Sequence, residues 1–203
     1  MKIVRLKLQN LASLAGEQEI DFEADPLQHA GLIAITGATG AGKSTLLDAM
    51  CLALFNKIPR LKTHEGKLKD VSGQDVQIDS TLNILRRGTA HAYSELEFIA
   101  QNQKRYIARW ELKRARGHAE GKLQAVQRAL VCVTDGNMLT DKAKECDKQV
   151  LELIGLSFEQ FTRAVLLAQS EVGAFLKAKD NERADLLEYL TNSNIFSLVG
   201  KAA

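Results

Sequence analysis

Apolar and basic residues alternate over Met1-Lys2-Ile3-Val4-Arg5-Leu6-Lys7-Leu8, and Glu19-Ile20-Asp21-Phe22 resumes the alternation. A period of two belongs to a strand with one buried face, so with residues 10–16 as a turn the chain is predicted to open as a hairpin. Gly31-Leu32-Ile33-Ala34-Ile35-Thr36 is a short apolar run with β-branched residues, the pattern of a buried strand. Residues 44–55 then carry Leu46, Leu47, Ala49, Met50, Leu52, Ala53 and Leu54 without a breaker, which predicts a helix apolar on most sides. Residues 56–87 are polar, contain Pro59, and read as mostly irregular with a short helix at 80–85. Three strands are expected at 93–100, 105–112 and 123–133, separated by Gln101-Asn102-Gln103-Lys104 and by the loop 117–121, as an antiparallel meander. From Thr140 the period becomes helical, with Thr140 or Asp141 as cap and Gly155 as stop. Ser157 and Gln160 form a capping-box pair, and a last helix is expected at 180–191 with Leu186, Leu187 and Leu190 on one side.

Composition narrows the class. A chain of 203 residues can bury enough surface for one domain with its own core. Hydrophobic content of 45% with 26% charged residues is that of a globular protein, which sets disorder aside. The net charge of +2 is too small to mark a nucleic-acid binder, so any DNA contact must come from a local patch. Cys51, Cys132 and Cys146 are odd in number and lack C-x-x-C spacing, which argues against a disulfide framework or a structural zinc and fits a reducing cytosol. The first eight residues lack the continuous apolar run of a signal peptide or membrane span, so a chain soluble from its first residue is expected. His29, His64, His91 and His118 are scattered without ligand spacing.

Gly37-Ala38-Thr39-Gly40-Ala41-Gly42-Lys43-Ser44 fits G-x-x-x-x-G-K-[ST] at every fixed position, between a predicted strand and a predicted helix. Such glycines let successive amides point into one concavity, and the helix that follows presents its positive dipole end there. Lys43 is the candidate for the β- and γ-phosphates and Ser44 for Mg²⁺. A phosphate loop alone leaves GTPases, kinases and many ATPases open. The metal-holding acid that such enzymes need has one near match, Asp135 after residues 129–133, but Asp135-Gly136-Asn137 reads as a turn. Val71-Ser72-Gly73-Gln74-Asp75 is similar to an ABC-type signature with one glycine lacking, and is read as a loop. Asn56-Lys57-Ile58-Pro59 fails the guanine-reading Asn-Lys-x-Asp pattern.

Taken with Leu8-Gln9-Asn10-Leu11-Ala12-Ser13-Leu14, Thr45-Leu46-Leu47-Asp48-Ala49, Pro59-Arg60-Leu61, Phe161-Thr162-Arg163-Ala164-Val165-Leu166-Leu167-Ala168-Gln169, Ala174-Phe175-Leu176 and Glu182-Arg183-Ala184-Asp185-Leu186-Leu187-Glu188, the chain resembles the N-terminal head segment of the SbcC family of SMC-like, ABC-type DNA-repair ATPases. The resemblance covers most of the chain. It implies an α/β P-loop NTPase fold: an ABC-type head N-terminal lobe with a mixed sheet around the P-loop helix, an antiparallel β-meander, and C-terminal helices leading to a coiled coil. Residues 1–60 would be the P-loop core, 61–139 a loop plus the meander, and 140–203 the helical part with the Q-loop.

In such proteins the ATPase is split, and the signature, metal-holding acid and switch histidine arrive after the coiled coil. The resemblance implies ATP and Mg²⁺ as cofactors. Ser13, Gly37, Ala38, Thr39, Gly40, Ala41, Gly42, Lys43, Ser44 and Thr45 would be nucleotide contacts, and Lys43 and Gln169 the catalytic groups. Ser44 and Gln169 would reach Mg²⁺, the neutral amide of Gln169 touching metal and water without adding charge. Ser170 and Glu171 depart from the Gly-Gln common in close relatives, and Ala12 stands where distant relatives have arginine, so contacts of that arginine do not carry over. Implied partners are an SbcD-type nuclease subunit holding Mn²⁺, a second head of the same kind, and double-stranded DNA, with no membrane and a cytoplasmic, nucleoid-associated place. An SMC-like chromosome tether and a small-molecule kinase are the alternatives. Lys104, Arg105, Arg109, Lys113, Arg114, Arg116, Lys122 and Arg128 either attract DNA phosphates or decorate a solvated sheet face, the second being slightly favoured. Tyr106 and Trp110 among them read as packing residues.

Overall fold

The opening alternation folds as β1 (Lys2–Leu11) and β2 (Leu14–Asp21), an antiparallel pair joined at Ala12 and Ser13, in a computed structural model that describes residues 1–61 and 66–164. In chain order there follow α1 (Lys43–Phe55), β3 (Lys67–Lys69), β4 (Asp75–Gln77), β5 (His91–Ile99), β6 (Arg105–Lys113), β7 (Gln127–Cys132), β8 (Asn137–Thr140), α2 (Ala143–Ile154) and α3 (Phe158–Ala164). The chain divides into two compact units, Met1–Leu156 and Ser157–Ala203.

The first unit is built on a six-stranded sheet of order β2-β1-β5-β6-β7-β8, every neighbouring pair antiparallel. Register places Leu6 opposite Leu96, Leu96 opposite Ala108 and Ala108 opposite Leu130, so one row of apolar side chains crosses four strands. All four are buried. That face receives α1, whose residues from Asp48 to Leu54 are buried without exception, as the breaker-free apolar run requires. Each large aliphatic side chain so buried contributes roughly 1.5–3 kcal/mol. The other face carries the charged half of the alternation: Arg109 pairs with Glu95 at 2.9 Å, and Arg105 with Glu97 at 3.0 Å and Glu23 at 2.9 Å.

Three buried polar contacts fix α1 to the sheet. The Ser94 hydroxyl donates to the Ala49 carbonyl at 2.7 Å. Arg128, with only 1% of its side chain exposed, donates to the Ala53 and Leu54 carbonyls at 3.0 Å each and to Asp147 at 2.7 Å. These are two of the four carbonyls that a helix C-terminus leaves without partners. Asn56, at φ 51°, ends the helix by donating its amide to Leu52, and its side-chain oxygen accepts from the Trp110 indole at 2.7 Å. Trp110 is therefore a packing residue with its N–H satisfied.

Several elements differ from the sequence reading. Residues 31–36 form no strand: they pair with no strand among the described residues, and Leu32 is 86% exposed. Hydrophobic patterning marks such a run as sheet-like, but pairing needs a neighbour, and the six-stranded sheet forms without it. The sheet around α1 is thus antiparallel where a mixed one was expected. The polar stretch 56–87 contains the β3–β4 hairpin besides the expected short helix, a 3₁₀ turn at Thr81–Ile84 capped by the Ser80 hydroxyl. The third meander strand begins at Gln127, because residues 123–126 leave the sheet after one bridge from Leu123 to Arg114. Thr140 ends β8 opposite Leu130, so α2 starts at Ala143; the Thr140 hydroxyl still accepts from the Lys142 amide at 3.1 Å. Gly155 stops α2 at φ 70°, as expected.

In the second unit the capping box forms as read. The Ser157 hydroxyl accepts from the Gln160 amide at 3.2 Å, and the Gln160 side chain accepts from the Ser157 amide at 2.8 Å. The helix expected at 180–191 lies outside the described residues.

Candidate nucleotide-binding site

The glycine-rich segment forms an exposed loop that runs directly into α1. Gly40 at φ 84° and Gly42 at φ 90° hold backbone conformations that L side chains rarely adopt. At Gly42 there is a second reason for glycine: a Cβ there would stand 2.6 Å from Cδ2 of Leu14. The loop is internally tied by Ala41 N–H to Ala38 O at 3.2 Å, while Gly42 O accepts from Thr45 at 2.9 Å and from Leu46 at 3.2 Å. Among the described residues the amides of Gly40, Gly42, Lys43 and Ser44 donate to no protein acceptor. Free first-turn amides at the positive end of a helix dipole suit an anion.

Lys43 Nζ donates to Gly37 O at 2.6 Å and Ala38 O at 2.7 Å, so the ammonium is folded across the loop beside those amides. A polyphosphate would compete with neutral carbonyls for this cation, adding the attraction of opposite charges that a carbonyl lacks. Ser44 lies next to it in the first turn of α1, and Thr45 is buried at 2% exposure. The loop thus fits a polyphosphate, with Ser44 the hydroxyl that would hold Mg²⁺. Ser13 lies in the β1–β2 turn, exposed, and the next residue, Leu14, is the one that meets Gly42. Gln169 lies outside the described residues.

The sequence reading passed over one buried charge in this helix. Asp48, 2% exposed and one turn beyond Ser44, meets the guanidinium of Arg60. Burial raises its carboxyl to about 6, against the opposing pull of Arg60. A lone acid inside an apolar helical run is a signal that could have found it. Beside it Cys51 is buried, and desolvation followed by the Asp48 charge pushes its thiol up, away from thiolate chemistry.

The remaining acids do not join the loop. Asp135 sits in the turn between β7 and β8, bound to Lys104 at 2.6 Å, whose hydrogen bond holds its carboxyl below the usual range. Residues 71–74 lie in the loop that closes the β3–β4 hairpin, and Asp75 begins β4. No group of three or more His, Cys, Asp or Glu side chains among the described residues could hold a metal ion. The basic stretch is mostly spent on ion pairs: Arg114 grips Asp70 through two bonds of 2.6 and 2.7 Å, Lys113 meets Glu111 at 3.1 Å, and Arg128 is buried. Arg116 and Lys122 remain exposed.

A sequence model of the AAA domain matches residues 5–196. The chain belongs to the AAA-domain family. It is 52% identical over its whole length to the SbcC subunit of the SbcCD nuclease of Pseudomonas aeruginosa, covering 17% of that protein. Against the SbcC subunit from Rhodobacter capsulatus it is 46% identical, over 98% of this chain and 16% of the other. The SMC head domain of Thermotoga maritima aligns over 73% of this chain and 42% of its own at 19% identity, with a TM-score of 0.44, too loose a likeness to build on. The chain spans about one sixth of the length of the curated relatives it matches. No helix among the described residues is long and apolar enough to cross a membrane.

Proposed function

We propose that this AAA domain is the N-terminal half of a split ATPase head, and that the protein it belongs to is the ATP-driven subunit of an SbcCD-type nuclease acting on double-stranded DNA ends and hairpins. The observation that carries the reading is the phosphate loop itself: four amides without acceptors among the described residues, Lys43 across the mouth and Ser44 at the helix start, in a chain 52% identical throughout to an SbcC subunit. Residues 1–60 supply the P-loop core, 61–139 the hairpin and meander, and 140–203 the helical part with Gln169. Residues 37–45 cradle the phosphates, Ser13 borders the nucleotide, and Ser44 with Gln169 serves Mg²⁺.

The acids that are present support a composite site. Asp135 is engaged by Lys104, Asp48 is buried against Arg60, and no group of three or more His, Cys, Asp or Glu side chains among the described residues could hold a metal ion. The exposed apolar run 31–36, with Leu32, Ile33 and Ile35 all accessible, is a strand-like segment suited to pairing with the C-terminal half of the head. Two heads would close over ATP, hydrolysis would reset them, and the cutting, with its Mn²⁺, would belong to an SbcD-type partner in the cytoplasm. ATP can drive this only if it binds the closed arrangement more tightly than the open one. Lys43→Ala in the complete protein tests the assignment: ATP binding by calorimetry should vanish with the fold intact, because the side chain faces ligand and not core. Unchanged affinity would sink it.

A further inference from the structure

The turn between β1 and β2 is strained and heavily braced. Asn10 at φ 51° and Ala12 at φ 46° both occupy the left-handed region, which non-glycine residues enter at a cost of order 1–3 kcal/mol each. Such a conformation persists only where its surroundings over-determine it. The Asn10 side chain braces the turn by donating to His91 O at 3.1 Å and accepting from the Gly16 amide at 2.9 Å, and Arg86 supplies three further bonds. Arg86 donates its backbone amide to Asn10 O at 2.9 Å and its guanidinium to Ala12 O at 3.2 Å and Ser13 O at 2.8 Å. The Ala12 amide donates to Ile84 O at 2.7 Å, and Leu11 bridges Leu85. Arg5, Arg105, Arg109, Arg114 and Arg128 each meet a carboxylate, whereas among the described residues Arg86 meets backbone carbonyls alone.

The same segment reaches both ends of the P-loop helix. At one end the Thr81 hydroxyl donates at 3.3 Å to the side-chain oxygen of Asn56, the residue that ends α1. At the other, Arg86 fixes the turn whose Leu14 side chain occupies the space a Cβ on Gly42 would need. Residues 81–86 are therefore a strut between the two caps of α1, with the strained turn as its head against the loop.

We propose that Arg86 is a positioning residue for the nucleotide: by holding the Ala12 and Ser13 carbonyls it keeps Leu14 against Gly42 and so fixes the shape of the phosphate loop without touching the ligand. This deepens the reading of residues 37–45 as the phosphate cradle and rests on it. Loss of the guanidinium frees two carbonyls and lets the strained turn relax, which withdraws Leu14 from Gly42. Arg86 and Leu14 then act as one link.

The test is ATP affinity, by calorimetry on the complete protein, for Arg86→Ala, Leu14→Ala, their combination and Arg86→Lys. Each alanine variant should weaken binding about tenfold, and the double variant should lose no more than the worse single, because coupled residues are not additive. Arg86→Lys should recover most of the loss, since an ammonium can donate to both carbonyls. Should Arg86→Ala fail to fold, Arg86→Gln replaces it under the same criteria. Binding within twofold of the parent, losses that multiply in the double variant, or a lysine that restores nothing would each overturn the proposal. Failure of the cradle reading itself is separable: it would show as unchanged affinity in Lys43→Ala, whereas failure of this proposal leaves the Lys43 dependence in place.

Discussion

Replacing Arg128 by methionine keeps most of the buried stem and removes the guanidinium. Its Nη2 serves the Ala53 and Leu54 carbonyls at 3.0 Å each, at the negative end of the α1 dipole, and Nη1 meets Asp147 at 2.7 Å. Asp147 is 53% exposed and can turn to water, so its loss of a partner contributes little. The two carbonyls lie in the core and cannot. Leaving a buried acceptor without its charged donor costs about 1–3 kcal/mol, so the two together cost about 2–6 kcal/mol, less the relief of no longer burying the guanidinium. A net loss of about 2–4 kcal/mol is expected, which in a domain of this size lowers Tm by roughly 5–15 °C. Urea unfolding followed by circular dichroism measures it, with the m-value checked for constancy. A loss below about 0.5 kcal/mol, within the range of ordinary surface substitutions, would refute the claim that Arg128 ties the P-loop helix to the sheet.

Two further outcomes follow from the site. Burial raises the Asp48 carboxyl from 3.8 to about 6, so the folded state holds its proton more tightly than the unfolded one. Its contribution to stability is then fully present below about pH 4 and lost as pH rises through about 6; Asp48→Asn should flatten that part of the stability profile, and an unchanged slope between those two values would contradict the assignment. Gln169→Ala in the complete protein should leave ATP binding within a few-fold while lowering hydrolysis, and equal losses of both would argue against a role at metal and water.

Elements whose partners are local were legible in the sequence. The β1–β2 hairpin, α1, the core of the meander, the Ser157–Gln160 capping box and the Asp135 turn all follow from period, turn chemistry or spacing within a few residues. The run 31–36 was not, because patterning reports that a segment belongs in a sheet and says nothing of where its neighbour lies. Strands β3 and β4 are three residues long with one apolar residue each, below the length at which alternation can be seen. Arg114 and Arg128 counted among eight basic residues near one another in sequence, yet both are buried. Charge alone does not distinguish a cation that caps a helix from one that meets solvent. At the site, the cradle was fully visible as a motif, whereas Arg86 and Leu14 were not: a hydrogen bond from residue 86 to residue 13 carries no sequence signal.

If the chain holds half of a composite ATPase, as proposed, it needs the other half before it can turn over. ATP hydrolysis is therefore to be measured against protein concentration, first for this chain alone and then with the C-terminal head segment of the same protein supplied in trans. The chain alone should hydrolyse ATP no faster than buffer, since Asp135 is engaged by Lys104, Asp48 is buried against Arg60, and the acid that polarises the water would come from the second segment. With the second segment, activity should appear and rise faster than linearly with concentration, because two assembled heads are needed for each closed site. Robust, concentration-independent turnover by a monomer of this chain would overturn the split head and return Asp135 to consideration as its acid.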